Sequence, residues 1–446
     1  MKVFFDALGC PKALVDAEKI ASIVQGAEHE IVLSPDDAQV VIVNTCGFIE
    51  QAKQESIDTI LSYAELKKQR PDLKLIVSGC LTERYRNDLA ESIPEIDSMI
   101  GVRDISKILK AIAEQSRDIL DSGEYREHDF DGSRTGLFSG MNYAYLKISE
   151  GCARQCSFCA IPAIRGKLRS RTIEDILNEA RFLRENWGTE ELILISEDTS
   201  FYGIDLYGEK SIIKLLEKLL EIDFHWIRLM YLFPDPVVEE IAVLMKREPR
   251  ICRYIDIPLQ HASAKILASM NRPGNAEEYL EMIGRVRDTV PEISIRSAFI
   301  TGYPGETEED HDILKKFLSG AALDRVGFFE YSDEEGTPAF DIGNKVPKRT
   351  AAKRTAELMG LQEKISIARL ERRIGRVLEC VNDGSSVEET GDTTLILRSE
   401  YDAPEIDGSV IVKTQSGITQ EESFFNVRIT GVIAPHDLQG EIVERE

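Results

Sequence analysis

At 446 residues, 43% hydrophobic and 30% charged, the chain has the length for two or three domains, each with its own core. No apolar run approaches the ~18 residues of a membrane span, and Met1-Lys2-Val3 leads straight into a strand-like stretch, so a cytoplasmic protein without leader or anchor is expected. A net charge of −24 argues against a surface for phosphate backbones and suits a basic protein partner, with acidity for solubility alone as an equal reading.

The first ~135 residues alternate strand-like and helix-like stretches, as α/β domains do. Strands are expected at 3–8, 40–43 and 73–78, and helices at 15–24 and 49–68. A cysteine follows each strand: Cys10, Cys46 and Cys80. Ligands of open α/β sheets bind outside the carboxyl ends of the strands, so these three thiols are placed to meet as a second cluster site. A buried core cysteine would instead fall inside a strand. Residues 121–140 are polar and Gly/Ser-bearing and read as a linker.

Alternation restarts beyond it, with strands expected at 143–148, 192–196, 226–232, 254–257, 293–300 and 326–331. Helices are expected at 174–186, 211–221 and 237–246. Six β/α units predict a partial parallel barrel with its chemistry at the strands' carboxyl ends. Just after the first of these strands lies Gly151-Cys152-Ala153-Arg154-Gln155-Cys156-Ser157-Phe158-Cys159-Ala160. Thiolate is the preferred ligand of zinc and of iron–sulfur clusters, and a closed zinc site wants four ligands. Three thiols at C-x3-C-x2-C with no nearby histidine point to a cluster with one iron left open. A helix is expected at 350–373, and from Ile374 short β-rich segments separated by turns predict a small antiparallel barrel.

Other polar groups fall at strand ends. Ser196, Glu197 and Asp198, with Thr199, close the second barrel strand, where they suit an ammonium group or simply cap the next turn. Gly302 and Gly305 follow the fifth strand, where backbone can approach a ligand or form an ordinary turn before an acidic helix start. The strip Arg165-Gly166-Lys167-Leu168-Arg169-Ser170-Arg171 reads equally as a carboxylate holder and as a solvated charged strand. Cys252 and Cys380 have no partner at ligand spacing and read as core.

With Phe158 just before its last cysteine, the Cys152/Cys156/Cys159 loop resembles the signature of the radical S-adenosylmethionine enzymes, which places Phe158 among the cofactor-binding residues. Leu8-Gly9-Cys10-Pro11-Lys12, Asn44-Thr45-Cys46-Gly47 and Ser78-Gly79-Cys80 look like the auxiliary-cluster motifs of the methylthiotransferase family, and the C-terminal part is similar to its TRAM domain. Stretches 156–162, 164–167, 198–203, 256–261 and 402–408 look like the branch that modifies an aspartate of the small-subunit ribosomal protein S-twelve. Two positions depart from the pattern: Ala153 where an acidic residue is usual, and Glu197 where glutamine is usual.

The resemblance implies domains at 1–135, 139–371 and 372–441. It implies two 4Fe-4S clusters, held by Cys152, Cys156 and Cys159 and by Cys10, Cys46 and Cys80. S-adenosylmethionine then serves as radical source and as methyl donor. One electron cleaves it, the resulting radical takes a hydrogen from the aspartate Cβ, and a methylthio group built on the auxiliary cluster is transferred. A low-potential donor such as a flavodoxin or ferredoxin and a sulfur source are implied partners. The rivals are a tRNA-adenosine methylthiotransferase and a non-catalytic iron–sulfur carrier or scaffold. From Arg372 onward there are 7 Lys/Arg against 15 Asp/Glu, a net of −8 that disfavours tRNA and suits a basic ribosomal protein.

Overall fold

The computed structural model describes residues 1–114, 134–140, 142–387, 393–414, 423–433 and 435–444. Its N-terminal part runs β1 (Lys2–Ala7), α1 (Pro11–Gly26), β2 (Glu30–Val32), β3 (Val40–Thr45), α2 (Glu50–Gln69), β4 (Lys74–Gly79), α3 (Cys80–Ser92), β5 (Ser98–Ile100) and α4 (Ile108–Ala113). The sheet order is β2-β1-β3-β4-β5, with every pairing parallel. Residues of the β-branched run Val40-Val41-Ile42-Val43 are buried on both faces, as a central parallel strand requires. Strands β2 and β5, each three residues long, are too short to show a period in the sequence.

The central part holds β6 (Tyr143–Lys147), β7 (Ser149–Glu150), α5 (Ile161–Arg165), β8 (Arg169–Ser170), α6 (Ile173–Trp187), β9 (Glu191–Ile195), α7 (Ile204–Tyr207), α8 (Ile212–Leu219), β10 (Trp226–Leu229), α9 (Val237–Arg247), β11 (Tyr254–Asp256), α10 (Ala264–Ser269), α11 (Ala276–Thr289), β12 (Ser294–Thr301), α12 (Glu308–Ala321), β13 (Arg325–Glu330) and α13 (Lys348–Glu371). Two parallel three-stranded sheets, β10-β9-β6 and β11-β12-β13, are joined by bonds from Cys252 N to Ile227 O (2.9 Å) and Leu232 N to Asp256 O (2.8 Å). The result is a six-stranded arc. Its helices start and stop where local chemistry directs: Thr172 caps α6, Gly188 ends it in the left-handed region, and Thr307 with Asp310 forms a capping box on α12.

The C-terminal part closes as a barrel in the order β14 (Val377–Val387), β15 (Thr393–Ser399), β16 (Val410–Thr414), β18 (Asp437–Ile442), β17 (Phe424–Ile433). Its pairings are antiparallel except β16 with β18. It docks at the amino ends of the central strands. Tyr143 bonds Glu405 (2.9 Å), Arg398 bonds Glu191 (2.6 Å), Trp226 packs on Phe424, Arg253 pairs with Glu400, and Arg325 pairs with Asp402.

The expected linker lies mostly outside the described residues, and its described end, 134–140, is no loose tether. Arg134 is fully buried against Glu18 and Glu179, and Phe138 N bonds Glu18 Oε1 (2.7 Å). A guanidinium taken out of water needs carboxylate partners, and two of them fasten this segment to α1 and α6.

Candidate functional site

The cysteine loop leaves the antiparallel pair β7/β8 and ends at α5. Gly151 sits at φ +70, and a Cβ there would lie 2.6 Å from Gly166 O, so only glycine fits this turn. Cys152 N donates to Gly166 O (3.2 Å) and Cys159 N to Cys156 O (3.1 Å). Ser157 anchors the middle: its N–H bonds Met270 O (3.0 Å), its carbonyl accepts from Ala339 N (2.8 Å), and its hydroxyl lies 2.8 Å from that of Tyr303. Arg272 places Nη1 3.5 Å from Cys156 Sγ, and the Arg154 N–H is 3.3 Å from Cys152 Sγ. Burial pushes the Cys152 thiol up to about 11 and the Cys159 thiol up to about 12.

The other three cysteines stand at the carboxyl ends of adjacent strands. Cys10 precedes α1 after β1, Cys46 follows β3, and Cys80 opens α3 directly after β4. The three turns touch: a Cβ on Gly9 would lie 3.0 Å from Cys46 Cβ, and one on Gly47 2.8 Å from the Cys80 carbonyl. Ser56 of α2 accepts from Cys46 N (3.0 Å) and donates to Cys46 O (3.1 Å). Burial pushes the Cys80 thiol up to about 12 and raises that of Cys46.

Between the two trios lies a buried layer of charge that no sequence spacing announced. Arg165, at the end of α5, bonds Glu150 (2.7 Å) and Asp16 of α1 (3.0 Å), and approaches Cys80 Sγ (3.5 Å). Lys147 pairs with Asp16 and Glu150. Lys12 donates to Ser196 O (3.3 Å) and lies 3.9 Å from Glu197. The basic strip is therefore neither solvated nor waiting for a ligand at its ends: Arg165 is 1% exposed, and Arg171 is buried on Asp175 and Glu179.

The predicted strand-end residues divide. Asp198 accepts from Arg154 Nε (2.8 Å) and Ser200 N (3.0 Å), so it caps and pairs, while the Ser196 hydroxyl faces that of Thr199 at 3.3 Å. Glu197 differs. Its carboxylate is buried, neither oxygen has a hydrogen-bond partner among the described residues, and burial raises its pKa. Phe158 packs beside Met270, Ile300 and Tyr303. Gly302 (φ +73) closes against Ala351 of α13, and Gly305 N bonds Asn344 O (3.0 Å), so both serve turns packed on neighbouring chain. Cys252 and Cys380 are core residues at 1% and 0% exposure.

The donor set suits iron–sulfur clusters. The trios offer only soft sulfur, which a cluster would take as thiolate, releasing the thiol protons on binding. Among the described residues no three His, Cys, Asp or Glu side chains converge on a single metal ion. A cubane does not require that, since each thiolate takes a different iron. No helix among the described residues is long and apolar enough to cross a membrane.

Residues 146–318 match the Radical SAM superfamily, 2–101 the Uncharacterized protein family UPF0004, and 374–443 the TRAM domain. The ribosomal protein uS12 methylthiotransferase RimO of Lachnoclostridium phytofermentans is 41% identical over 436 residues, covering 96% of this chain and 97% of its own. Its counterpart in Clostridioides difficile is 41% identical over 448 residues, covering 99% of each. Among solved structures, the radical S-adenosylmethionine methyltransferase TsrM from Kitasatospora setae, with cobalamin and a [4Fe-4S] cluster bound, is similar in fold. It gives a TM-score of 0.54 at 14% identity and covers 87% of this chain and 81% of that one. By near-full-length identity and by all three of its matched segments, the chain belongs to the RimO family of radical S-adenosylmethionine methylthiotransferases.

Proposed function

We propose that the chain methylthiolates Cβ of an aspartate in ribosomal protein uS12, using two 4Fe-4S clusters and S-adenosylmethionine in two roles. The observation that supports this reading most is the pairing of near-full-length similarity to RimO proteins with two cysteine trios, each at a face formed by strand carboxyl ends. Cys152, Cys156 and Cys159 would hold one cluster, and Cys10, Cys46 and Cys80 the other. When bound, the first supplies the electron that cleaves S-adenosylmethionine and the second supplies the sulfur.

The chain's own residues orient and exclude. Glu197 offers an ammonium group a buried carboxylate that accepts no hydrogen bond among the described residues, with Lys12 (3.9 Å) and Arg165 (3.7 Å) at ion-pair distance and Cys152 and Cys159 within electrostatic reach. Asp198 and Ser196 fix the turn that presents it. Tyr303 and Arg272 hold the cysteine loop in place, Arg165 ties the helix that follows it to α1, and Lys12 of α1 bonds Ser196 O at the turn after β9. These buried contacts keep water from the space between the trios.

Anaerobic reconstitution tests the reading. The wild-type chain should bind about eight irons and each triple Cys→Ala variant about four. Purified uS12 should gain the mass of a methylthio group only with reductant and S-adenosylmethionine, while tRNA under the same conditions should gain none. A single iron centre, or modification of tRNA and not uS12, would overturn it.

A further inference from the structure

An acidic groove beside the N-terminal trio has no part in the chemistry described above. It encloses about 700 Å³ between α2, α3 and the segment after β13. Ile57, Leu61, Leu81, Leu89, Ile93 and Phe340 give it apolar walls, with Leu61 48% exposed. Glu50, Asp88, Asp333 and Glu335 stand on its rim, exposed; Lys345 lies over the Phe340 ring (4.6 Å), and among the described lining residues the one cation is Lys53. That cation is already engaged: Lys53 pairs with Glu50 (2.8 Å) and with buried Glu334 (3.2 Å). Asp333 is held by Lys345, but Asp88 and Glu335 have no ion-pair partner among the described residues. The groove is thus apolar inside and negative outside.

We propose that this groove docks a basic, partly apolar segment of the protein substrate; the proposal rests on the reading that the substrate is a ribosomal protein. Its volume and its place between two domains are those of a binding site. It also leads to the chemistry. Leu81 in its wall follows Cys80, and Arg84 reaches from α3 to Gly47 O (2.8 Å), beside Cys46, while pairing with Glu334 (2.7 Å). The groove wall thus comes within one residue of Cys80 along the chain. Charge selects the occupant, because an acidic rim repels a nucleic-acid backbone and equally a second copy of a chain carrying −24. The C-terminal barrel is a poorer candidate for this role. Glu379, Asp383, Glu400, Asp402, Glu405 and Asp407 all bond within the chain, and that barrel sits at the opposite ends of the central strands.

The test is fluorescence anisotropy of labelled uS12 with the cluster-loaded full chain, scored separately from methylthiolation. The charge reversal Asp88→Lys/Glu335→Lys should weaken binding about tenfold at low salt and flatten its salt dependence. It should also raise KM for uS12 with little change in kcat. Leu61→Lys, on the apolar wall, should weaken binding as well. Glu441→Lys, on the C-terminal barrel, should not. Equal affinity in both groove variants, with uS12 still modified, overturns the groove alone. Binding that depends on the groove while uS12 gains no mass supports the groove and overturns the proposed reaction. No binding by the wild-type chain overturns both.

Discussion

Arg165→Met should destabilise the cluster-free chain by about 3–5 kcal/mol, the usual cost of removing one partner from a buried ion pair. The magnitude follows from the charge layer. Three cations, Lys12, Lys147 and Arg165, stand against three carboxylates, Asp16, Glu150 and Glu197, all 6% exposed or less at their side chains apart from Lys12 at 11%. Methionine keeps an unbranched apolar stem but leaves one negative charge uncompensated away from water. It also frees Asp16 from its bond across to α5. Urea denaturation of the chain without iron, followed by far-ultraviolet circular dichroism, should show the first transition at lower denaturant, since a multidomain chain unfolds in steps. Glu197→Gln in the same background removes the surplus charge and should restore about 1–2 kcal/mol, a coupling that independent sites do not show. The single variant should also regain stability as the pH falls below neutral. Burial already raises the Glu197 pKa above its unfolded value, so the folded form takes up a proton first and stability rises on the acid side. An unchanged midpoint for Arg165→Met, or strictly additive losses in the double variant, would refute the account of the layer as a balanced unit.

Three further outcomes are expected. Gly79→Ala places a Cβ 2.5 Å from Thr45 O at φ +107, so the turns bearing Cys46 and Cys80 must shift. It should cost about 1–3 kcal/mol and lower the iron bound at the N-terminal trio, read by iron content with the Cys152/Cys156/Cys159 trio as internal reference. Glu179 is fully buried, which alone would raise its pKa, but Arg171, Lys19 and Arg134 outweigh burial and hold it at about 2. Because the folded value lies below the unfolded one, its contribution of roughly 3 kcal/mol is complete above pH ~4.5 and is lost as the pH falls toward 2. Acid titration should show that limb, and Glu179→Gln should flatten it. Tyr303→Phe removes a hydroxyl 2.8 Å from Ser157 and 2.9 Å from Ser269 O, and should cost about 1 kcal/mol while loosening cluster retention at the loop on exposure to chelator.

Much of the fold was legible because burial writes itself as period. β3 and β9 are apolar runs covered on both faces, and α6 repeats Ile176, Ala180 and Leu183 on one side. The places of Cys10, Cys46 and Cys80 were legible for a different reason: core cysteines fall inside strands, and these fall just after them. What the sequence withheld is pairing across distance. Asp16, Arg165 and Glu150 meet from three elements, and nothing in the spacing of a charged residue tells whether its partner is water or a carboxylate over a hundred positions away. The same blindness affected the acidic tail. Its surplus of carboxylates suggested a docking face for a basic protein, yet many of them bind arginines and tyrosines of this chain.

The charge layer also constrains how the two sheets work together. The N-terminal sheet presents Cys80 from β4, the central arc presents the Cys152 loop from β6 and β7, and Arg165 contacts groups from both. A hydrogen bond to a cluster sulfur tunes reduction potential, and a guanidinium keeps its charge at any working pH. One buried cation thus acts on the N-terminal trio while fastening the helix that closes the other loop. A hinge opening between the sheets would have to break Arg165–Asp16 and Lys147–Asp16 in low dielectric, so passage of a group between the trios is better served by a fixed separation than by domain motion. Under the proposed reaction the substrate would then come to a fixed N-terminal trio, and the acidic groove, whose wall includes Leu81 next to Cys80, would dock a basic chain beside it.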